Sequence, residues 1–374
     1  MTNLRRPHTN DYTVGWICAL PIELAAAAEL LDEEFEDLPE DSNDTNLYTF
    51  GGVGDHKVVV AYLPAGQTGT NSAAAVAIQM KSRFTSIRFA LMVGVGGGVP
   101  SAGSDIRLGD VVISQPYMQH GGVVQYDFGK TGAGGQFTRT GLLNTPPTAL
   151  LNALAKLQSN RYRGRSSLPT HLLVFNCLLQ FSRERAGPDI LFKPTYNHTG
   201  GATCGECSRE MLVEHAPRTT EEVIVHYGTI ASGNQVMKDG VTRDRPSSEL
   251  GSVLCFEMEA AGLMNSFPCL VICDYADSHK NKGWQPYAAA TAAACAKELL
   301  SVIPESHVSE TRSIAEQIKS GELVDQTWIL TIYLLLTRGT EVHSKAKLII
   351  SPALCTRLGA RRYMATHLIR EEEQ

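Results

Sequence analysis

The 374-residue chain has no excess of positive charge: 33 Lys and Arg stand against 39 Asp and Glu, a formal net charge of −6. That excludes a broad basic face for nucleic acid or an anionic membrane, so any phosphate must be met locally. Long hydrophobic runs are also lacking. The longest near the C-terminus, Trp328 to Leu336, has roughly half the length that spans a bilayer, and no membrane partner is expected. The N-terminus, Met1-Thr-Asn-Leu-Arg-Arg-Pro7, runs into polar residues instead of the apolar core of a secretory leader. No internal repeat is found. Neither a Walker loop nor a dinucleotide fingerprint has its required spacing, which removes those two routes to nucleotide phosphates.

What is present is 43% hydrophobic sequence, enough to bury the core of one large domain or two smaller ones. The 9 cysteines are scattered through apolar sequence, which points to a reduced, cytoplasmic protein. Apolar β-type runs alternate with Ala-rich helical stretches, the pattern of an α/β fold with a largely parallel or mixed sheet. Strands are expected at Tyr12 to Ala19, Lys57 to Leu63, Phe89 to Val95, Asp110 to Gln115, Val223 to Ser232 and Phe267 to Ile272. Helices are expected at Pro21 to Leu31, Asn71 to Lys81 and Ala288 to Ser301, the first with proline in its first turn. Asn144 to Arg218 is less regular, with a polar insertion around Gln158 to Ser167. A continuous domain over 11–304 is expected, followed by an appendage over 305–374.

Two carboxylates flank the last expected strand. Glu259 lies in Phe256-Glu-Met-Glu-Ala-Ala-Gly262, and Asp274 in Cys273-Asp-Tyr-Ala-Asp-Ser-His-Lys280. A glutamate among small apolar residues is costly to bury without a partner, which asks for a ligand. The plainer alternative is a charge at a helix N-terminus. Asp274, at the C-terminal mouth of a strand, would face the crevice where open α/β sheets bind ligands; as a plain alternative it caps a helix, a role that suits Asp277 better. Glu257 is expected to face solvent. Glu23 falls in the first turn of a helix beside the mouth of the first strand. The glycines of Val93-Gly-Val-Gly-Gly-Gly98 let backbone approach a ligand, or form only a tight turn.

His198, Cys204, Cys207 and His215 could supply four zinc ligands on paper. Chance proximity of loop cysteines and histidines is the favoured reading, and neither a metal nor a cofactor is expected.

Taken together the segments resemble the purine and uridine phosphorylase superfamily, which includes nucleoside phosphorylases and nucleosidases, in the branch common in fungi. The resemblance runs from about Asp11 to Pro304. It rests on Val14-Gly-Trp-Ile-Cys-Ala-Leu-Pro-Ile-Glu23, Leu63-Pro-Ala-Gly-Gln67, Met92-Val-Gly-Val-Gly-Gly-Gly-Val-Pro100, Asp105-Ile-Arg-Leu-Gly-Asp-Val-Val112, Gly121-Gly-Val-Val-Gln-Tyr-Asp-Phe-Gly129, Ala231-Ser-Gly-Asn-Gln-Val-Met-Lys-Asp239 and the two carboxylate segments. It implies a single-domain three-layer α/β/α fold around a central mixed sheet, nucleoside phosphorylase-like, and a homo-oligomer.

The resemblance also implies cleavage of an N-glycosidic bond through a cationic ribosyl transition state. Glu259 would hold the ribose hydroxyls, with Met258, Gly96 and Gly97 beside it. Asp274 would protonate purine N7, Glu23 would activate water, and Ser232, Asn234 and Val236 would line the base pocket. Phosphorylases of the superfamily surround phosphate with arginines and a Ser or Thr. This chain has Met92 and Val95 in those places, so hydrolysis of a purine nucleoside is the expected reaction. A phosphate-dependent purine nucleoside phosphorylase is one alternative. An inactive nucleoside-binding module is the other, because relatives carry a few more residues between Phe267 and Cys273 and an odd change in strand length would re-aim Asp274.

Overall fold

The computed structural model describes residues 6–101, 103–200, 204–215, 217–218, 223–266, 269–273, 282–310 and 312–319. Asp274, Asp277, His279 and Lys280 lie outside the described residues. The chain divides into residues 1–326 and 327–374, and the second unit falls wholly outside them.

The strands are β1 (Val14–Cys18), β2 (Glu33–Glu34), β3 (Tyr48–Val53), β4 (His56–Tyr62), β5 (Phe89–Val93), β6 (Gly97–Gly98), β7 (Val111–Ser114), β8 (Val123–Gln125), β9 (Gly129–Thr131), β10 (Phe137–Arg139), β11 (Val225–Gly228), β12 (Ile230–Ser232), β13 (Cys255–Glu257) and β14 (Cys269–Cys273). The helices are α1 (Pro21–Glu29), α2 (Thr70–Arg83), α3 (Thr148–Tyr162), α4 (Leu168–Leu172), α5 (Arg183–Ala186), α6 (Gly240–Glu249), α7 (Gln285–Ser301), α8 (Glu305–Glu310) and α9 (Ile314–Lys319).

An eight-stranded sheet runs in the order β11-β7-β14-β5-β1-β4-β3-β2. It is mixed, as expected: β5, β1 and β4 are parallel neighbours, whereas β3 runs against β4 and β14 against β7. The strand period of two explains the layers. Val14, Trp16 and Cys18 of β1 and Phe89, Leu91 and Val93 of β5 pack with α1, α3 and α7 on one face. The alternate residues Ile17, Ala90 and Met92 pack with α2 on the other. Every side chain of β1 and β5 is buried, which is why these strands read as unbroken apolar runs.

A smaller sheet has the order β6-β13-β12-β8. The single strand expected over Val223 to Ser232 is two, β11 in the large sheet and β12 in the small one. The chain changes sheets at Thr229, so the extended segment continues while its partners change. In the region expected to be irregular, α3 buries Leu150, Ala153, Leu154 and Leu157, a helical stripe whose last turn covers the start of the expected insertion. Within the expected appendage, Val308 and Ile314 are buried, and Ile314 N–H donates to Ile87 O at 3.0 Å.

One contact between the layers is unusually close. After β13 the chain makes a single 3₁₀ turn, Ala260–Gly262, against the start of α2. A Cβ added to Gly262 would lie 2.0 Å from the carbonyl oxygen of Thr70, and that neighbour is backbone. Gly262→Ala is expected to cost about 1–3 kcal/mol as an overpacking change, and thermal unfolding checks it; an unchanged Tm would contradict this packing.

Candidate active site

Pro21 opens α1 and places Glu23 at its third position. The residue before the helix is Leu20, which has no side-chain acceptor, so the glutamate itself turns back onto the orphan amides. Ala19 and Leu20 N–H donate to Glu23 Oε2 at 2.7 and 2.9 Å, and Val95 N–H donates to Oε1 at 2.7 Å. The carboxylate is pressed over Gly94, where an added Cβ would lie 2.7 Å from Oε1. Only 4% of Glu23 is exposed. Burial pushes its carboxyl up to about 7; the three amides pull it back and the charge of Glu259 adds to the rise.

Opposite it, β13 runs out into Met258, Glu259 and the 3₁₀ turn. Gly69 N–H donates to Glu259 Oε1 at 3.0 Å and Met258 N–H to Oε2 at 3.2 Å. Gly69 caps the N-terminus of α2, so the plain expectation of a carboxylate at a helix end holds as well, though for a helix elsewhere in the sequence. Burial holds the Glu259 carboxyl above its ordinary range against those two amides.

Glu257 departs from expectation. It is 93% buried, as its 7% exposure requires. Its Oε2 accepts N–H from Glu259 and Ala260, both at 2.9 Å, while Oε1 is buried without a hydrogen-bond partner among the described residues. Residues two apart on a strand share a face, so within β13 Glu257 follows the fully buried Cys255 inward. Burial, then the charge of Glu259, pushes its carboxyl up to about 7.

These groups line one cavity of about 190 Å³. Of the residues singled out from the sequence, Glu23, Gly96, Gly97, Val236, Met258 and Glu259 all border it. Val236 is half exposed at the rim. Ser232 and Asn234 stand behind the wall. The Ser232 hydroxyl is fully buried and accepts Ala261 N–H at 2.8 Å, fastening the turn that carries Glu259. Asn234 Oδ1 accepts from both N–H and Oγ1 of Thr70 at 3.0 Å, and Asn234 N–H donates to Asp127 Oδ2 at 2.7 Å. Sequence reasoning missed Glu257, Thr68, Phe256 and Gln285 of the lining. The Glu-x-Glu alternation could have revealed the first; nothing local marks Gln285, which opens α7 far along the chain. Among the described lining residues there are three carboxylates and no Lys, Arg or His.

The family model described as the phosphorylase superfamily matches residues 13–301. The chain belongs to the phosphorylase superfamily. A nucleotide-binding leucine-rich repeat (NLR)-like protein of Hyaloscypha variabilis is 45% identical to this superfamily member over 329 residues, covering 85% of this chain and 32% of that protein. The ATP nucleosidase Cap17 of Escherichia coli is 25% identical over 287 residues, 74% of this chain and 48% of its own length. The chain thus spans about a third to a half of these curated relatives. A structure described as a candidate 5′-methylthioadenosine/S-adenosylhomocysteine nucleosidase from Borrelia burgdorferi, bound to adenine, superposes with a TM-score of 0.51 at 15% identity, covering 78% of this chain and all of that one. That likeness is one of fold.

Proposed function

We propose that the chain hydrolyses the N-glycosidic bond of a purine nucleoside or nucleotide, releasing free base and the sugar. The observation that carries this reading is Glu23, a buried carboxylate fastened in the cavity wall by three backbone amides. A carboxylate offers about four lone-pair sites, so one remains for a water molecule. With its carboxyl pushed up to about 7, Glu23 is a base matched to neutral pH.

The reaction then runs as a balanced displacement. Water attacks C1′ and gives its proton to Glu23. Glu259 accepts hydrogen bonds from the ribose hydroxyls, bonds that strengthen as the sugar becomes cationic. The C1′–N9 bond breaks as Asp274 gives a proton to N7. Glu257 borders the same cavity and adds a second polar group for the ligand.

Phosphate suits this cavity poorly as the acceptor. Each unit of like charge about 4 Å away costs about 4 kcal/mol at an effective dielectric of 20, and the described wall offers carboxylates to a dianion. The E. coli relative's name, ATP nucleosidase, keeps nucleotides among the substrates to test. Incubation of the full chain with adenosine, inosine, guanosine and ATP, with and without phosphate, tests the proposal by chromatography of the products.

A further inference from the structure

We propose that His198, Cys204 and Cys207 bind a zinc ion in a loop outside the active-site cavity. One ligand atom from each of the three lies within 4.8 Å of the other two. Tetrahedral zinc takes thiolate sulfur at about 2.3 Å and imidazole nitrogen at about 2.0–2.1 Å, so small side-chain adjustments close this set on one ion. Two thiolates and a neutral imidazole balance the divalent charge, and solvent takes the fourth position.

Three observations make the cluster more than a chance meeting. The two cysteines sit at either end of a tight turn: Cys204 opens the 3₁₀ turn Cys204–Glu206, and Cys207 N–H donates to Cys204 O at 3.2 Å. That closure turns both side chains of the C-x-x-C pair toward a common point. His198 Nδ1 accepts Gly200 N–H at 3.1 Å, which puts a lone pair on that nitrogen; zinc bound there would take the place of the amide.

The loop is also built around this point. Its neck is clamped by the Phe192–Leu212 bridge, by Lys193 N–H donating to Met211 O at 2.9 Å and by Val213 N–H donating to Leu191 O at 2.9 Å. Inside the neck, among the described residues of 193–211, Cys207 alone is buried. An excursion with no apolar core of its own is the setting in which a metal serves as a staple.

The ligand set is smaller than the four residues weighed from the sequence. His215 Nδ1 lies 2.8 Å from Asp105 Oδ1 and its Nε2 lies 3.8 Å from Asp189 Oδ2, so that ring serves an acidic pair instead. The loop also supports the active-site side of the molecule. A Cβ on Gly240 would fall 2.7 Å from Pro194 Cα, and Gly240 begins α6 shortly after the cavity-lining Gln235 and Met237.

The test uses the full chain, purified under reducing conditions from zinc-supplemented cells. Elemental analysis is expected to find near-stoichiometric zinc, with cobalt substitution giving a thiolate-to-cobalt charge-transfer band. Cys204→Ser and Cys207→Ser are expected to lose both, while His215→Ala keeps them. If a cysteine variant fails to fold, His198→Ala must show the same loss. Wild-type protein without zinc, Cys204 and Cys207 recovered as a disulfide, or zinc retained in the serine variants would each overturn the assignment. None of these readouts depends on the proposed hydrolysis.

Discussion

Glu23→Gln is expected to lower kcat by about 10²–10⁴-fold, the contribution of a positioned general base, with a much smaller change in KM. The sign of the pH dependence follows from its raised carboxyl. The base must be ionised to take a proton from water, so the wild-type rate falls as pH drops through about 7; the variant loses the part of that limb set by Glu23, while the raised carboxyls of Glu257 and Glu259 still titrate in the cavity. The substitution is not isosteric in effect. All three backbone partners of Glu23 are N–H donors, and a Gln amide nitrogen would have to face one group of them. A lower Tm accompanies the loss, and assays belong well below it. A variant that keeps both the wild-type rate and the acidic limb would remove Glu23 from the chemistry.

The second large effect is expected at Asp274. Asp274→Asn retains a hydrogen-bond donor for N7 but has no proton to transfer, so binding persists while turnover falls by about 10²–10⁴-fold. Equilibrium binding of nucleoside measured beside single-turnover rates separates the two. The side chain lies outside the described residues, yet the strand leading to it is well tied. Val271 and Ile272 of β14 pair with Met92 and Val93 of β5, and Ile272 also pairs with Ile113 of β7. The last pairing of β14 with β5 is Ile272 with Val93, and the residue after Val93 is Gly94, over which Glu23 is pressed. The shorter approach to Asp274 expected from the sequence resemblance makes this variant the sharper comparison: wild-type turnover no faster than that of Asp274→Asn, with binding intact in both, would favour the inactive binding module.

Much of the frame was legible because its physics is local. β1 and β5 are buried on both faces, so they appear as apolar runs; α1 announces its start with Pro21, which places Glu23 correctly. The helical stripe of Leu150, Leu154 and Leu157 was also present, but the polar residues of the next turn obscured it. The switch from β11 to β12 left no clear mark, since the single residue Thr229 separates the two strands and only their partners differ. The site was legible where a charged residue interrupts small apolar sequence, as at Glu259. It was misread at Glu257, where a second carboxylate close by suggests solvent unless the strand period is applied. The fastening roles of Ser232 and Asn234 depend on residues far along the chain, Ala261 and Thr70, and no local pattern shows them.

The most direct measurement is product identity in phosphate-free buffer with purine nucleosides and ATP as substrates. The account predicts free purine base and free sugar, or sugar phosphate from a nucleotide, in equal amounts, at a rate unchanged by added phosphate and lost in Glu23→Gln. Cleavage that requires phosphate and yields ribose 1-phosphate would contradict it.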